Sequence, residues 1–300
     1  MHRRVSAAAF LFLVAFALPV HAGSGDLQRH LRDQYQGKTL ILRGFYAGDR
    51  LRFDSTGTLA GGANSGDWTT DGFVLPTDIH VAGSRLKIKA RRQIVAASGQ
   101  GFQFQADTTQ NRKRKPVILA IQADLGSNPT PAQADAVMSR VFLAAQDSLA
   151  ESVPDYWKPC LSDGLAGKSA PCRFSPELAA IPGVAIPAKG VQETNRTDAV
   201  APINLVAHVG KGVSPPRMTY NREPEFSEEA RVSKYQGVLT LGVVVTSSGA
   251  PTNIHVLTPL GCGLDEKAVQ AVQMWKFKPA EKDGQPVPVE IAVEVSFHLY

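Results

Sequence analysis

Three cysteines, seven histidines and one acidic–aromatic run carry the side chains of this sequence best suited to chemistry. Cys160 and Cys172 bracket a Gly/Pro-punctuated loop, Leu161 to Pro171. A disulfide between them would close that loop and contribute about 3 kcal/mol by the chain-entropy account. Cys262 is left over, in the turn Pro259-Leu-Gly-Cys-Gly-Leu264 ahead of a predicted helix. Two readings stand there: a thiol whose pKa is lowered at a helix start, or a small residue filling a tight turn, which is preferred. His2, His21, His30, His80, His208, His255 and His298 are scattered and form no HExxH or Cys/His metal spacing. There is no G-x-S-x-G elbow, P-loop or dinucleotide fingerprint. Asp67-Trp68-Thr69-Thr70-Asp71 sets two carboxylates beside an exposed-looking aromatic, as in a ligand groove; a Trp-anchored β-turn is the preferred reading. No catalytic residue, metal or cofactor is therefore expected.

The ends and the charge narrow the class further. His2-Arg3-Arg4 precedes an apolar run from Ala7 to Leu18 and then Pro19-Val20-His21-Ala22. That is a charged n-region, an h-region and a small-residue cleavage pattern, so residues 1–22 read as a signal peptide cut after Ala22. The apolar run is shorter than the roughly 20 residues that span a bilayer. The formal charge is +5, and the run Arg112-Lys113-Arg114-Lys115 supplies most of the surplus. No aromatics are interleaved there, so a solvated turn is preferred to a nucleic-acid site. An export signal and an even pair of cysteines both suit an oxidising compartment.

Elements must hold whatever these residues do. At 43% hydrophobic, the 300 residues suffice for two modest cores. Asp26 to Tyr35 reads as a short helix. Strands are predicted at 39–46, 50–53, 73–75, 79–81, 85–95, 101–106 and 115–122, with Arg85-Leu-Lys-Ile-Lys-Ala alternating at period two. They make a mostly antiparallel sheet or small barrel. Thr130-Pro131 caps one long helix, Ala132 to Ser152, with Val137, Val141, Ala144 or Ala145, and Leu149 on one face. From Pro154 to about Ser214 the prolines and glycines read as linker or irregular coil, pinned by the disulfide. Asn195-Arg-Thr197 matches a glycosylation sequon. The expected division is 1–22 signal peptide, 23–153 β-rich domain, 154–214 linker and 215–300 C-terminal domain.

The last third has the clearest pattern. Gln236 to Thr246 is a strand apolar on both faces, which needs a covering helix. Ser247-Ser-Gly-Ala250 turns it back into Thr252 to Leu257. After Gly261-Cys-Gly263 a helix starts at Leu264, with Asp265 and Glu266 in its first turn. Leu264, Ala268, Ala271, Val272 and Trp275 share its apolar face. Pro279 stops the helix, Asp283-Gly284 turns, and a final strand from about Val287 alternates. Val287, Val289, Ile291, Val293, Val295, Phe297 and Leu299 form one face; Pro288, Glu290, Ala292, Glu294, Ser296 and His298 form the other.

On these residues roughly 215–300 resembles the C-terminal domain of the TonB family. The matching elements are Pro224-Glu-Phe-Ser-Glu-Glu-Ala-Arg231, Gly237-Val-Leu-Thr-Leu-Gly-Val and Ser248-Gly249. They continue through Gly263-Leu-Asp265, Ala268, Ala271-Val272, Trp275-Lys-Phe-Lys-Pro-Ala280 and Asp283-Gly284-Gln-Pro-Val287. The resemblance implies a ββαβ docking domain at the periplasmic end of transducers that act on outer-membrane receptors. It also implies that a receptor peptide pairs with the last strand, here Val289, Glu290, Ile291, Ala292, Val293, Glu294 and Val295. Pro286 and Pro288 cannot donate, so pairing is expected from Val289 onward. Glu290 and Glu294 either blunt the edge against promiscuous pairing or read a basic partner. Family transducers keep an N-terminal anchor and a Pro-rich spacer; here a cleavable signal and a β domain stand in those places.

The whole reads as an α+β, exported, non-catalytic envelope protein of the periplasm that binds a partner by strand addition, with the role in transport across the outer membrane that the resemblance implies. The partner is a peptide of an outer-membrane TonB-dependent receptor or another envelope protein, or a second copy through the C-terminal domain. Two alternatives are an inner-membrane-anchored transducer with an uncleaved N-terminus, and a secreted hydrolase or carbohydrate binder using the β-rich domain.

Overall fold

The computed structural model describes residues 24–105, 118–184, 206–210 and 212–299. The presumed signal peptide with its cleavage site, the basic run 112–115 and the sequon at Asn195 lie outside these residues. The fold is mixed α+β, with several small sheets rather than one large one.

The chain opens with helix α1 (Ser24–Tyr35), then strands β1 (Leu40–Ile41) and β2 (Arg50–Phe53), a short helix α2 (Trp68–Asp71), and strands β3 (Phe73–Ala82) and β4 (Arg85–Gln93). A small hairpin of β5 (Val95–Ser98) and β6 (Gly101–Phe104) follows, then β7 (Ile118–Asp124). Five of these strands form one sheet in the order β1-β3-β4-β7-β2. Its pairs are antiparallel except β2 with β7, which run parallel. The strand expected over 39–46 shrinks to two residues because Gly44 and Phe45 both take positive φ (80° and 48°) and turn the chain away. The two short strands expected at 73–75 and 79–81 are one, with a register irregularity between Pro76 and Asp78. In β4 the period-two alternation holds: Leu86, Ile88 and Ala90 are buried, Lys87 and Lys89 exposed.

Next come helices α3 (Pro131–Val141) and α4 (Leu149–Ser152). The sequence pattern predicts a single helix over 132–152, and the structure corrects this. The start is as expected, with a capping box between Thr130 and Gln133 and Pro131 in the first turn. The end comes early because Phe142 adopts extended backbone and bridges Leu42, while the Leu143 N–H donates to the Ile41 carbonyl at 2.8 Å. The β1 segment thus takes backbone groups that the helix would have used. Together α1 and α3 cover one core: Leu27 and Leu31 meet Val74, Ile79, Ile88, Ile121, Val137 and Met138. Asp135 joins the two helices, accepting from Tyr35 Oη and contacting His30 Nε2, both at 2.9 Å.

Composition predicts irregular coil from Pro154, and the structure differs there as far as Val184. A 3-10 turn at Asp155–Trp157 leads into α5 (Lys158–Leu165), and α6 (Pro176–Ala179) follows. Cys160 and Cys172 are joined by a disulfide across a separation of 12 residues. Trp157, Leu161, Leu178 and Val184 are fully buried. Prolines here serve as helix starts, at Pro159 and Pro176, rather than as linker residues.

The C-terminal part holds β8 (Arg217–Tyr220), α7 (Glu228–Ser233), β9 (Gly237–Val245), β10 (Pro251–Thr258) and α8 (Leu264–Val272). It ends with β11 (Lys276–Lys278), β12 (Ala280–Lys282), β13 (Gln285–Val287) and β14 (Val289–Phe297). Its main sheet runs β10-β9-β14, all antiparallel. One face takes Leu239, Leu241, Val243, Val295 and Phe297 against Leu264, Ala268 and Val272 of α8. Trp275 is buried beyond the end of that helix, and its indole N–H donates to the Arg222 carbonyl at 2.9 Å.

A second core runs without interruption from the β-rich part into this C-terminal part. At its centre Trp68 stacks edge-on to Trp157 and to Phe102, each at 5.2 Å, and Phe102 lies 5.2 Å from Phe174. Trp68, which looks exposed in the sequence, is 1% exposed. Its segment is a single helical turn rather than a β-turn, capped by Asp67. Because this core is shared, Trp68→Ala is expected to cost about 3–5 kcal/mol and to speed amide hydrogen exchange in β9 as well as in β4. Unchanged protection in β9 would mean that the two parts open independently.

Candidate functional site

Two regions bear on function: the free edge of β14 and the seam where the β-rich part meets the C-terminal sheet. The edge strand comes first. All nine residues of β14 pair with β9, from Val289 with Val245 to Phe297 with Gly237. Its other side ends the sheet. Among the described residues the pairing recorded on that side is one parallel bridge, Ala207 with Val289, in which the Ala207 N–H donates to the Pro288 carbonyl at 2.9 Å. The predicted segment Val289–Val295 therefore lies within one continuous strand, with chain cover at its first residue.

The alternation predicted for this strand is present. Val289, Val293, Val295 and Phe297 are buried, Ile291 is half-buried, and Glu290, Ala292, Glu294 and Ser296 are exposed. Phe297 is fixed by an edge-on contact with Phe226 at 5.3 Å. On the outer face the imidazole of His255 lies over Gly242, where any side chain would collide with it. From there its Nε2 reaches the Glu290 carboxylate at 3.7 Å, and its Nδ1 sits 3.0 Å from the Asn253 carbonyl. The sequence reading left His255 among scattered histidines. Its partner lies two strands away, so nothing in local spacing signals it.

The seam is built from backbone. Leu260–Cys262 pairs with Val95–Ala97: Ala97 N–H donates to the Leu260 carbonyl, and Cys262 N–H to the Val95 carbonyl, both at 2.8 Å. Gly261 (φ +75°) must be glycine there, since a Cβ would meet the Val95 carbonyl oxygen at 2.7 Å. Asp265 holds this loop, accepting from Leu260 N–H at 2.9 Å and Gly261 N–H at 2.5 Å. Across the seam Gly263 N–H donates to Thr69 Oγ1 at 2.8 Å, and Thr69 in turn donates its hydroxyl and backbone N–H to Asp67. Tyr235 Oη adds a bond to the Ala97 carbonyl at 2.8 Å.

Asp67 and Asp265 are both buried. Burial pushes the Asp67 carboxyl up to about 7, opposed by its Thr69 bonds and reinforced by the charges of Glu266 and Asp265. Burial likewise pushes Asp265 up to about 7, against the backbone donors at Leu260, Gly261 and its own amide. Nearby, burial raises Asp71 despite its 3.1 Å contact with Arg92. Burial raises Glu229 and Tyr156 too, and the Asp67, Glu266 and Asp265 charges push Tyr156 further.

The cysteines separate cleanly. Cys160 and Cys172 are bridged, and Cys262 is free and buried. Burial pushes the Cys262 thiol up to about 12, and its Sγ donates to Gln105 Oε1 at 3.2 Å. These surroundings disfavour a reactive thiolate, so the tight-turn reading holds over the lowered-pKa one. Among the described residues no group of three or more His, Cys, Asp or Glu is arranged to hold a metal ion. Among them, too, no helix is long and apolar enough to cross a membrane.

The C-terminal part is an antiparallel sheet with β14 at one edge, backed by one helix. Residues 222–299 match the family model described as the Gram-negative bacterial TonB protein C-terminal region, and the chain carries a TonB-family C-terminal domain. Over 81 residues it is 33% identical to Protein tonB2 of Pseudomonas aeruginosa, covering 27% of this chain. The chain spans 30% of the length of that relative. Among solved structures it is similar to the Pseudomonas aeruginosa TonB CTD determined by NMR in solution. That likeness has 19% identity and a TM-score of 0.26, covering 31% of this chain and 93% of the other.

The buried carboxylates give a pH signature with a definite sign. Both native pKa values lie above the unfolded value, so the folded state binds more protons between about pH 4 and 7 and loses stability as pH rises. Raising pH from 6 to 8 should cost on the order of 1 kcal/mol per carboxyl, a fall of about 5 °C in Tm for both together. Scanning calorimetry across this range checks it, and Asp67→Asn is expected to flatten the slope.

Proposed function

We propose that this chain is an exported, non-catalytic envelope protein whose TonB-type domain receives an extended peptide as an added strand on β14. The observation that carries the reading is the outer edge of β14, which past Val289 carries no recorded strand pairing among the described residues. An open edge offers main-chain donors and acceptors in a row, which an extended segment satisfies by pairing. The partner class is a peptide of an outer-membrane TonB-dependent receptor or another envelope protein, as membership of the domain family implies.

Within this reading the β-rich part is a rigid base for the docking domain. It shares a core with it and pins the loop before α8. The charged n-region, apolar run and Val20-His-Ala22 site support export. The Cys160–Cys172 disulfide supports an oxidising compartment. Mass spectrometry of the protein recovered from an envelope fraction is expected to give a mature N-terminus at Gly23. An intact Met1 would favour the anchored transducer instead.

Docking is tested by NMR titration of the labelled protein with N-terminal peptides of outer-membrane receptors. Amide shifts and new exchange protection are expected from Ile291 to Phe297. Ala292→Pro, which removes a donor that faces the outer edge, is expected to abolish binding while circular dichroism confirms that it folds. Shifts confined to another surface, or undiminished binding by the folded variant, would reject β14 as the receiving strand.

A further inference from the structure

We propose that the segment accepted by β14 is a basic amphipathic strand, with lysine or arginine side chains set four residues apart against Glu290 and Glu294. This rests on strand addition at β14 and adds the chemistry of the partner. Glu290, Ala292 and Glu294 share the exposed face of the strand. Their partners on β9 are Val244, Gly242 and Thr240, none of them charged. The side chain of Glu290 is 42% exposed, and its ionisable neighbour is His255 at 3.7 Å. Among the described residues no ion pair involves Glu294. Two carboxylates thus stand at the rim of an open sheet with little cationic compensation.

A strand added at this edge brings its side chains within about 5 Å of those directly opposite, where opposite charges attract and like charges repel. Glu290 and Glu294 are four residues apart on one face, a spacing of about 13 Å along the strand. Complementary cations therefore fall at positions i and i+4 of the partner. The residue between them lies beside Ala292, where a small side chain fits. The intervening positions point to the other face, beside half-buried Ile291 and buried Val293, and call for apolar side chains. The partner pattern is basic–apolar–small–apolar–basic.

The same charges oppose a second copy in one register. Antiparallel pairing of two β14 strands about Ala292 would set Glu290 of one copy against Glu294 of the other, twice. That places like charges directly opposite one another.

Three synthetic decapeptides test the inference by NMR titration of the full mature chain. Each carries Val-Ala-Val flanked by Lys at both charged positions, by Ser at both, or by Glu at both. The Lys peptide is expected to bind about fivefold more tightly than the Ser peptide at low salt, the gain from two exposed cross-strand ion pairs. Added salt should erase the difference. Glu294→Lys, an exposed substitution, should cancel the preference between the Lys and Glu peptides, since each then meets one opposite and one like charge. Equal binding of the Lys and Ser peptides, or an unchanged order with Glu294→Lys, overturns the charge reading and leaves strand addition standing. If none of the three shifts β14 amides while a receptor peptide does, the basic pattern is wrong. If no peptide of any kind shifts them, strand addition itself fails.

Discussion

The short backbone pairing of Leu260–Cys262 with Val95–Ala97 is the constraint on which the rest depends. It sits where the β-rich part, the disulfide-bridged segment and the TonB-type sheet converge, and it sets the start of α8. Two buried carboxylates maintain it from opposite sides. Asp265 holds the loop through backbone N–H groups, and Asp67 holds Thr69, which receives Gly263. Buried backbone groups must be paired, so a glycine at 261 and acids at 67 and 265 are demanded together. The consequence is that the TonB-type domain has a fixed base on the β10 side and, past Val289, no strand pairing on the outer side of β14 among the described residues.

That asymmetry distinguishes the two edges of the sheet. The first edge strand, β10, lies against α5 and the 3-10 turn carrying Trp157. The other edge, β14, has chain cover at Val289 through Ala207. A sheet with two free edges invites uncontrolled association. The protein's own helices cover the β10 edge, and β14 carries Glu290 and Glu294 on its exposed face.

The TonB-type part was legible because its signals are local. Gly237–Val245 and Val289–Phe297 follow period two, and Leu264, Ala268 and Val272 follow the helical period. The elements lie close in sequence, so their order nearly dictates their pairing. The region 154–184 was misread for the opposite reason. Its prolines and glycines resemble a linker, yet Pro159 and Pro176 begin helices whose apolar residues are buried by partners distant in the chain. The same cause hid Trp68, whose neighbours Trp157, Phe102 and Phe174 come from three other segments. It also shortened the helix ending at Val141, where the β1 segment competed for backbone groups.

By itself the sequence carried the disulfide pair, the TonB-type domain and the last strand with its two acidic residues. Each depends on residue type and short spacing, which local sterics and periodicity translate directly. Only the tertiary structure decided that the two parts share a core, that Asp67 and Asp265 meet at one seam, and that His255 reaches across Gly242 to Glu290. These are encounters between side chains remote in sequence, set by how sheets and helices pack. Burial, which shifts the carboxyls and silences Cys262, exists only once that packing has formed.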